Sequence, residues 1–236
     1  YGLHVSPDID TVIYTLAGLS NEATGWGIAD ESFRTLGRLK EYGMDTWFNL
    51  GDLDLATHIV RSKLLKEGLN LTEVTDCLAK SVGVEHSILP MSNGDAKTIV
   101  HTEVGKMSFQ EYFVKNRCEP IVKHLEFGGG DVNFPSNEVS SALEESTALI
   151  LSPSNPYLSI NPILALSGFR EDINNFKGIK IAVSPIVGGK ALKGPAEKLL
   201  REMGADVSAL GVARQYADIC DVFVIDKQDT ELANDI

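Results

Sequence analysis

Apolar residues recur at two different periods along this chain, and the change of period divides it. In the first third they fall at helical spacing. Ile9, Val12, Ile13 and Leu16 follow Ser6-Pro7-Asp8, where Ser6 suits an N-cap and Pro7 a first helical position that needs no N–H. A second helix is predicted over residues 30–42, with Phe33, Leu36 and Leu39 inward and Gly43 as its stop. A third is predicted over 54–67, with Leu55, Ile59 and Leu64 on one face and Gly68 as C-cap. A fourth starts at Thr72 and ends before Gly83, carrying Val74, Cys77 and Leu78.

The middle changes period. Residues 86–89 and 98–102 read as strands, the second turning at Gly105-Lys106 toward Met107, and 108–115 as a short helix. Gly128-Gly129-Gly130 predicts a loop. The last third alternates: a helix over 136–145, a strand over 147–151, a strand over 179–183, a helix over 195–203 and a strand over 222–225. Continuous apolar strands separated by helices predict an α/β fold with a doubly wound, mainly parallel, Rossmann-like sheet. The helical segment, residues 7–83, is expected near the carboxyl edge of that sheet, with residues 136–226 as the core that binds a nucleotide. The whole is expected to form one α/β domain. Too few strands for such a sheet, and no initiator Met, lead to the expectation of a fragment lacking both termini.

Composition narrows the function classes. With 43% hydrophobic and 23% charged residues the chain is an ordinary globule, and it contains no apolar run of about 18 residues. Acidic residues number 33 against 21 basic, a net charge of -12, which repels a phosphate backbone and disfavours nucleic acid as a partner. Cys77, Cys118 and Cys220 have neither zinc spacing nor a disulfide framework, and read as reduced thiols of a cytoplasmic chain.

In a parallel sheet, ligands bind where strands end. Two strand ends carry unusual loops. Ser152-Pro153-Ser154-Asn155-Pro156 sets hydroxyls, an amide and backbone N–H groups between prolines, which suits an anion or a sugar, or else makes a rigid turn. Ser184-Pro185-Ile186-Val187-Gly188-Gly189 runs on to Lys193-Gly194-Pro195-Ala196, where glycines admit phosphate to the backbone and Lys190 and Lys193 add charge. No Gly-Lys-Ser/Thr follows, so this is not a Walker loop. Asp8 with Asp10, and Asp52 with Asp54, each open a helix. Either they cap it, or they converge on a hard cation such as Mg²⁺ or on a hydroxyl nucleophile. His58 lies four residues past Asp54, on the same face. Trp26 and Trp47 read as packing residues, Trp47 lying close to the acidic loop. No Gly-x-Gly-x-x-Gly follows a strand, which disfavours a nicotinamide dehydrogenase.

Taken in order, Ser6-Pro7-Asp8-Ile9-Asp10-Thr11, Leu50-Gly51-Asp52 with Ala56-Thr57-His58, Leu89-Pro90-Met91-Ser92, Ser152-Pro153-Ser154-Asn155-Pro156, Ser184-Pro185-Ile186 and Lys193-Gly194-Pro195-Ala196 resemble the 2-phospho-L-lactate transferase family of coenzyme F420 biosynthesis over essentially the whole chain. The resemblance implies a cytoplasmic, Mg²⁺-dependent, homodimeric transferase. Its donor is a guanosine diphosphate-linked phospholactate, or the phosphoenolpyruvate counterpart, and its acceptor is the ribityl hydroxyl of the deazaflavin Fo, with release of GMP. By motif, Asp10, Asp8 and Asp52 carry catalysis, with Asp8 and Asp52 as metal ligands. Asp10, Asn49, His58, Met91 and Ser92 bind the acceptor. Ser152, Ser154, Asn155, Ser184, Pro185, Gly188, Gly189, Lys193 and Gly194 bind the nucleotide. Two positions depart from the family pattern: Asn49 replaces a residue that is often basic, and Leu53 stands where many members have Arg. A related group of the same fold binds nucleotide-sugars as a regulator and lacks the Ser154-Asn155 feature, which is the discriminating signal.

Overall fold

The computed structural model describes residues 1–128 and 133–236. They form two compact units, Tyr1–Asn93 and Gly94–Ile236. Of the predicted glycine loop, Gly129 and Gly130 lie outside the described residues. No helix among the described residues is long and apolar enough to cross a membrane.

The first unit is helical: α1 (Pro7–Leu16), α2 (Arg34–Glu41), α3 (Asp52–Lys66) and α4 (Leu71–Ser81). The expected strand over 86–89 is absent. The unit's core joins Ile13 and Tyr14 of α1 to Val74, Leu78 and Ala79 of α4 and to Val84, with Leu64 and Leu65 of α3 against them. A capping box between Asn70 and Glu73 starts α4. Asn93 accepts from both the N–H and the hydroxyl of Thr72, at 2.9 and 3.0 Å, which ties the 89–93 loop to that helix start.

The inward faces differ from those the spacing predicts. In α1 the buried residues are Asp10, Ile13 and Tyr14, while Val12 and Leu16 are exposed. Phe33 and Cys77 also face out. The largest departure is α3, whose buried residues are Asp54, His58 and Arg61. Ile59 is 52% exposed. Polar residues at i, i+4 and i+7 make a single helical stripe, and here that stripe is the one turned inward.

The second unit contains two larger sheets. β1 (Thr98–Thr102), β2 (Gly105–Ser108) and β3 (Val122–Phe127) form an antiparallel sheet in the order β2-β1-β3. β3 is not predicted by alternation, because a register shift opposite His101 and Thr102 buries Val122 and Leu125 at a spacing of three. The region over 108–115 ends in a wide π-helical turn, Glu111–Lys115. Further along, α5 (Asn137–Glu145) is capped by Ser136. It leads into β4 (Ala148–Leu151), α6 (Asn161–Leu164), α7 (Phe169–Asn175), β5 (Ile179–Val183), the short hairpin β6 (Ile186–Val187) and β7 (Lys190–Ala191), α8 (Ala196–Glu202), α9 (Ala209–Ala213) and β8 (Val222–Val224).

The predicted parallel sheet is present, in the order β4-β5-β8, with Ile150 beside Ile181 and Ile181 beside Val222. One face buries Leu151 and Ala182. The other leaves Ile150 63% exposed, with Ile179, Val222 and Val224 around it. The loops after β4 and β5 leave the same carboxyl edge of neighbouring strands.

Gly178 permits the first rung of this sheet. A Cβ there would lie 2.2 Å from the Thr147 carbonyl oxygen, which accepts the Ile179 N–H. Gly178→Ala is therefore expected to lower stability by about 1–3 kcal/mol through forced backbone displacement. Gly37→Ala, in α2, where among the described residues nothing beyond the helix's own local backbone comes within 4 Å of the new methyl, is expected to raise it by up to about 1 kcal/mol. Denaturant titration of both variants checks the pair.

Candidate active site

The inward stripe of α3 meets Asp10 of α1. Arg61 is fully buried and grips both carboxylate oxygens of Asp10, through Nη2 to Oδ1 and through Nη1 to Oδ2, the latter at 3.1 Å. Nη1 also meets His58 Nδ1 at 3.0 Å. Arginine only donates, so Nδ1 accepts and the ring proton belongs on Nε2. That nitrogen faces Asp54 Oδ1 at 3.4 Å without completing a hydrogen bond. Asp54 Oδ1 also accepts from the Tyr14 hydroxyl at 2.8 Å, with Thr57 Oγ1 2.9 Å from the same hydroxyl. Tyr14, Asp54, His58, Arg61 and Asp10 thus form one buried chain of polar contacts.

Charge and burial act in opposite directions on its two acids. Burial pushes the Asp10 carboxyl above the ordinary carboxylate value, against the lowering pull of Arg61. Burial acts upward on Asp54 too, but His58, Tyr14 and Arg61 together outweigh it and hold that carboxyl below the usual value. Burial also drives the Tyr14 phenol well up, so Tyr14 remains a donor at neutral pH. Asp10, Asp54 and His58 each offer a ligand atom, and these atoms lie within 4.8 Å of one another.

The other residues of this unit that the resemblance assigns to catalysis, the metal or the acceptor lie outside the buried chain. Asp8 reaches solvent, while the protein around it pushes its carboxyl up. Asp52 does not join the buried chain. Its oxygens accept from the Ser32 hydroxyl and from the Thr35 N–H, which hold its carboxyl below the ordinary value. Asn49 is exposed, Met91 half-buried and Ser92 buried. Arg61 has no counterpart among the residues singled out by sequence. Its signal there is no more than a basic residue seven positions after Asp54.

In the second unit Ser152 is exposed and its carbonyl accepts the Ser154 N–H at 2.7 Å. Asn155 Oδ1 accepts from the N–H groups of Tyr157 and Leu158, at 3.0 and 3.2 Å, capping the helical turn that follows. Its Nδ2 is buried with no hydrogen-bond partner among the described residues, so a donor stands ready beside the β4 end. Ser184 is occupied locally, its hydroxyl donating to the Ile186 carbonyl and accepting the Ile186 N–H, with Pro185 buried beside it. Gly188 and Gly189 have φ of 56° and 75° and form the two-residue turn between β6 and β7, a conformation that favours glycine. The Gly188 N–H donates to the Asp229 carboxylate at 3.1 Å, so a phosphate at this N–H must displace that acid. Lys193 and Gly194 are exposed.

Comparison with known proteins gives this arrangement a class. The profile of the family described as 2-phospho-L-lactate transferase CofD matches residues 1–235. The chain is 40% identical over 225 residues to the 2-phospho-L-lactate transferase of Methanosarcina mazei, covering 95% of this chain and 74% of that one. It is 41% identical over 225 residues to that of Methanosarcina acetivorans, covering 95% and 73%. It is 39% identical over 235 residues to that of Methanothermobacter thermautotrophicus, covering 100% and 75%. Among solved structures the protein BH3568 from Bacillus halodurans, of the UPF0052 family, has a TM-score of 0.54 at 16% identity, over 91% of this chain and 63% of that chain. This last likeness shows the fold. The class is that of enzymes transferring a substituted phosphate group. Within it, the chain belongs to the 2-phospho-L-lactate transferase family.

Tyr14→Phe removes the hydroxyl that Asp54 accepts, and is expected to cost about 1–3 kcal/mol of stability. Asp54 has a lowered folded-state pKa, so its contribution is complete above the unfolded value of about 4. It is lost as pH falls through the folded value. Acid titration of stability should accordingly flatten in Asp54→Asn.

Proposed function

We propose that the chain transfers a phospholactyl group, or its phosphoenolpyruvyl counterpart, from a guanosine diphosphate-linked donor to the ribityl hydroxyl of Fo in coenzyme F420 biosynthesis. The acceptor oxygen forms a bond to the donor phosphorus, the phosphorus–oxygen bond to GMP breaks, and the hydroxyl proton passes to a base. Such a step depends on positioning and on neutralising charge at the transferring group. The same reading takes the enzyme to be a cytoplasmic homodimer.

Asp10 is the base and orienting group in this reading. Its burial raises its proton affinity, the direction a carboxylate base needs. A carboxylate has about four acceptor positions, so oxygens gripped by Arg61 can still accept from a substrate hydroxyl. Asn49, His58, Met91 and Ser92 are assigned to the acceptor, with His58 acting from within the buried chain.

Mg²⁺ takes hard oxygen ligands. The Asp10–Asp54–His58 group does not suit it, because Arg61 already neutralises Asp10 and one member is an imidazole. Asp8 and Asp52 lie outside that group and offer oxygen donors only, those of Asp52 accepting from Ser32 and Thr35, and they are the residues assigned to the ion in this reading. When bound, it neutralises charge on the donor diphosphate.

The donor is assigned to Ser152, Ser154 and Asn155 with Ser184, Pro185, Gly188, Gly189, Lys193 and Gly194. The observation that carries this assignment is the buried, unpartnered Nδ2 of Asn155 at the carboxyl edge of a parallel sheet. Asn155→Asp keeps the acceptor that caps the next turn and removes the donor. It is expected to weaken GDP binding at least tenfold, within the roughly 1–3 kcal/mol of a lost buried partner, and to lower the melting temperature, since it buries a carboxylate oxygen in place of the NH2. Unchanged GDP affinity by calorimetry would count against the site. Asp10→Asn is expected to lower turnover about a hundredfold while leaving GDP affinity as it was. Steady-state kinetics with Fo read the first effect and calorimetry the second.

A further inference from the structure

We infer that Arg61 is the positioning residue for Asp10, the group that holds the acceptor-binding carboxylate in one orientation. The inference rests on the assignment of Asp10 to the acceptor.

The arginine is otherwise hard to explain. Arg61 has 0% exposure and its Nε has no hydrogen-bond partner among the described residues. A guanidinium with an unmet donor in a protein interior is costly, and a buried ion pair is weak evidence of stabilisation, since apolar residues of similar volume often serve as well. Apolar residues are at hand on the same helix, yet Ile59 and Val60 face outward while Arg61 faces in. What the arginine supplies is geometry. A bidentate fork on both oxygens fixes the plane of a carboxylate, which a single-point contact does not do.

The fork is itself held. Nη1 is shared between Asp10 Oδ2 and His58 Nδ1. His58 faces Asp54, and Asp54 accepts from Tyr14. Tyr14 lies one turn after Asp10 on α1, so the contacts begin and end on the same helix and cross α3 between. Asp10 cannot rotate without breaking the fork, and the fork cannot move without disturbing His58.

The test is a kinetic double-mutant cycle on the full-length protein. Arg61→Lys keeps the charge and loses the fork. It is expected to lower kcat for Fo by about tenfold or more, the usual scale for a residue that orients a functional group, with GDP affinity unchanged. In an Asp10→Asn background the same substitution should add less than about twofold, because the group it positions is already gone. Asp10→Asn with Arg61→Met removes both charges together, covers the case in which the lysine variant does not fold, and should match Asp10→Asn alone. A folded Arg61→Lys enzyme with normal kcat overturns the inference. So does an equal further loss in the Asp10→Asn background, which would mean that Arg61 acts on something other than Asp10. If Asp10→Asn itself turns over normally, the failure belongs to the assignment of Asp10.

Discussion

A buried guanidinium gripping a buried carboxylate organises the first unit. Arg61 comes from α3 and Asp10 from α1, and neither can be desolvated without the other. Removing one partner leaves an uncompensated interior charge, at a cost of about 3–5 kcal/mol. The pair therefore dictates which face of each helix turns inward. It explains why Ile59 and Val60 lie at the surface while Asp54, His58 and Arg61 do not. Apolar packing resumes only at Leu64 and Leu65, one turn beyond the ionic stripe, against Val74 and Leu78.

The same constraint marks where sequence reading succeeds and where it stops. Helices in the first unit, and the strands over Ile179–Val183 and Val222–Val224, follow from period and punctuation, and their parallel pairing follows from alternation with helices. Helix faces do not follow. Hydrophobic periodicity assumes that the apolar side of a helix is the buried side, and α3 inverts that assumption to bury its charges. β3 escapes because its bulge breaks the period of two. Asp8, Asp10 and His58 stand out by motif, but Arg61 carries no local signature. Its importance appears only when α1 is brought alongside.

The second unit shows how loop chemistry divides between architecture and ligand. By composition, Ser184 and the Gly188-Gly189 pair look like phosphate-binding groups. In the fold each is also committed structurally. Ser184 closes its own turn, and the glycines close the hairpin between β6 and β7 with Asp229 on the Gly188 N–H. Asn155 does both. One end of its amide caps a turn and the other is left as a buried donor. A polar atom that the fold positions and does not satisfy is the stronger indication of a ligand, and it cannot be told from a plain cap in the sequence alone.

The Asp10–Arg61 pair can be tested without substrate. Unfolding free energies of the wild type, Asp10→Asn, Arg61→Met and the double variant give the coupling between the two side chains. If the ion pair sets the arrangement of α1 and α3, the coupling should be about 2 kcal/mol or more, with the double variant more stable than Arg61→Met alone. Losses that simply add, within about 0.5 kcal/mol, would contradict it.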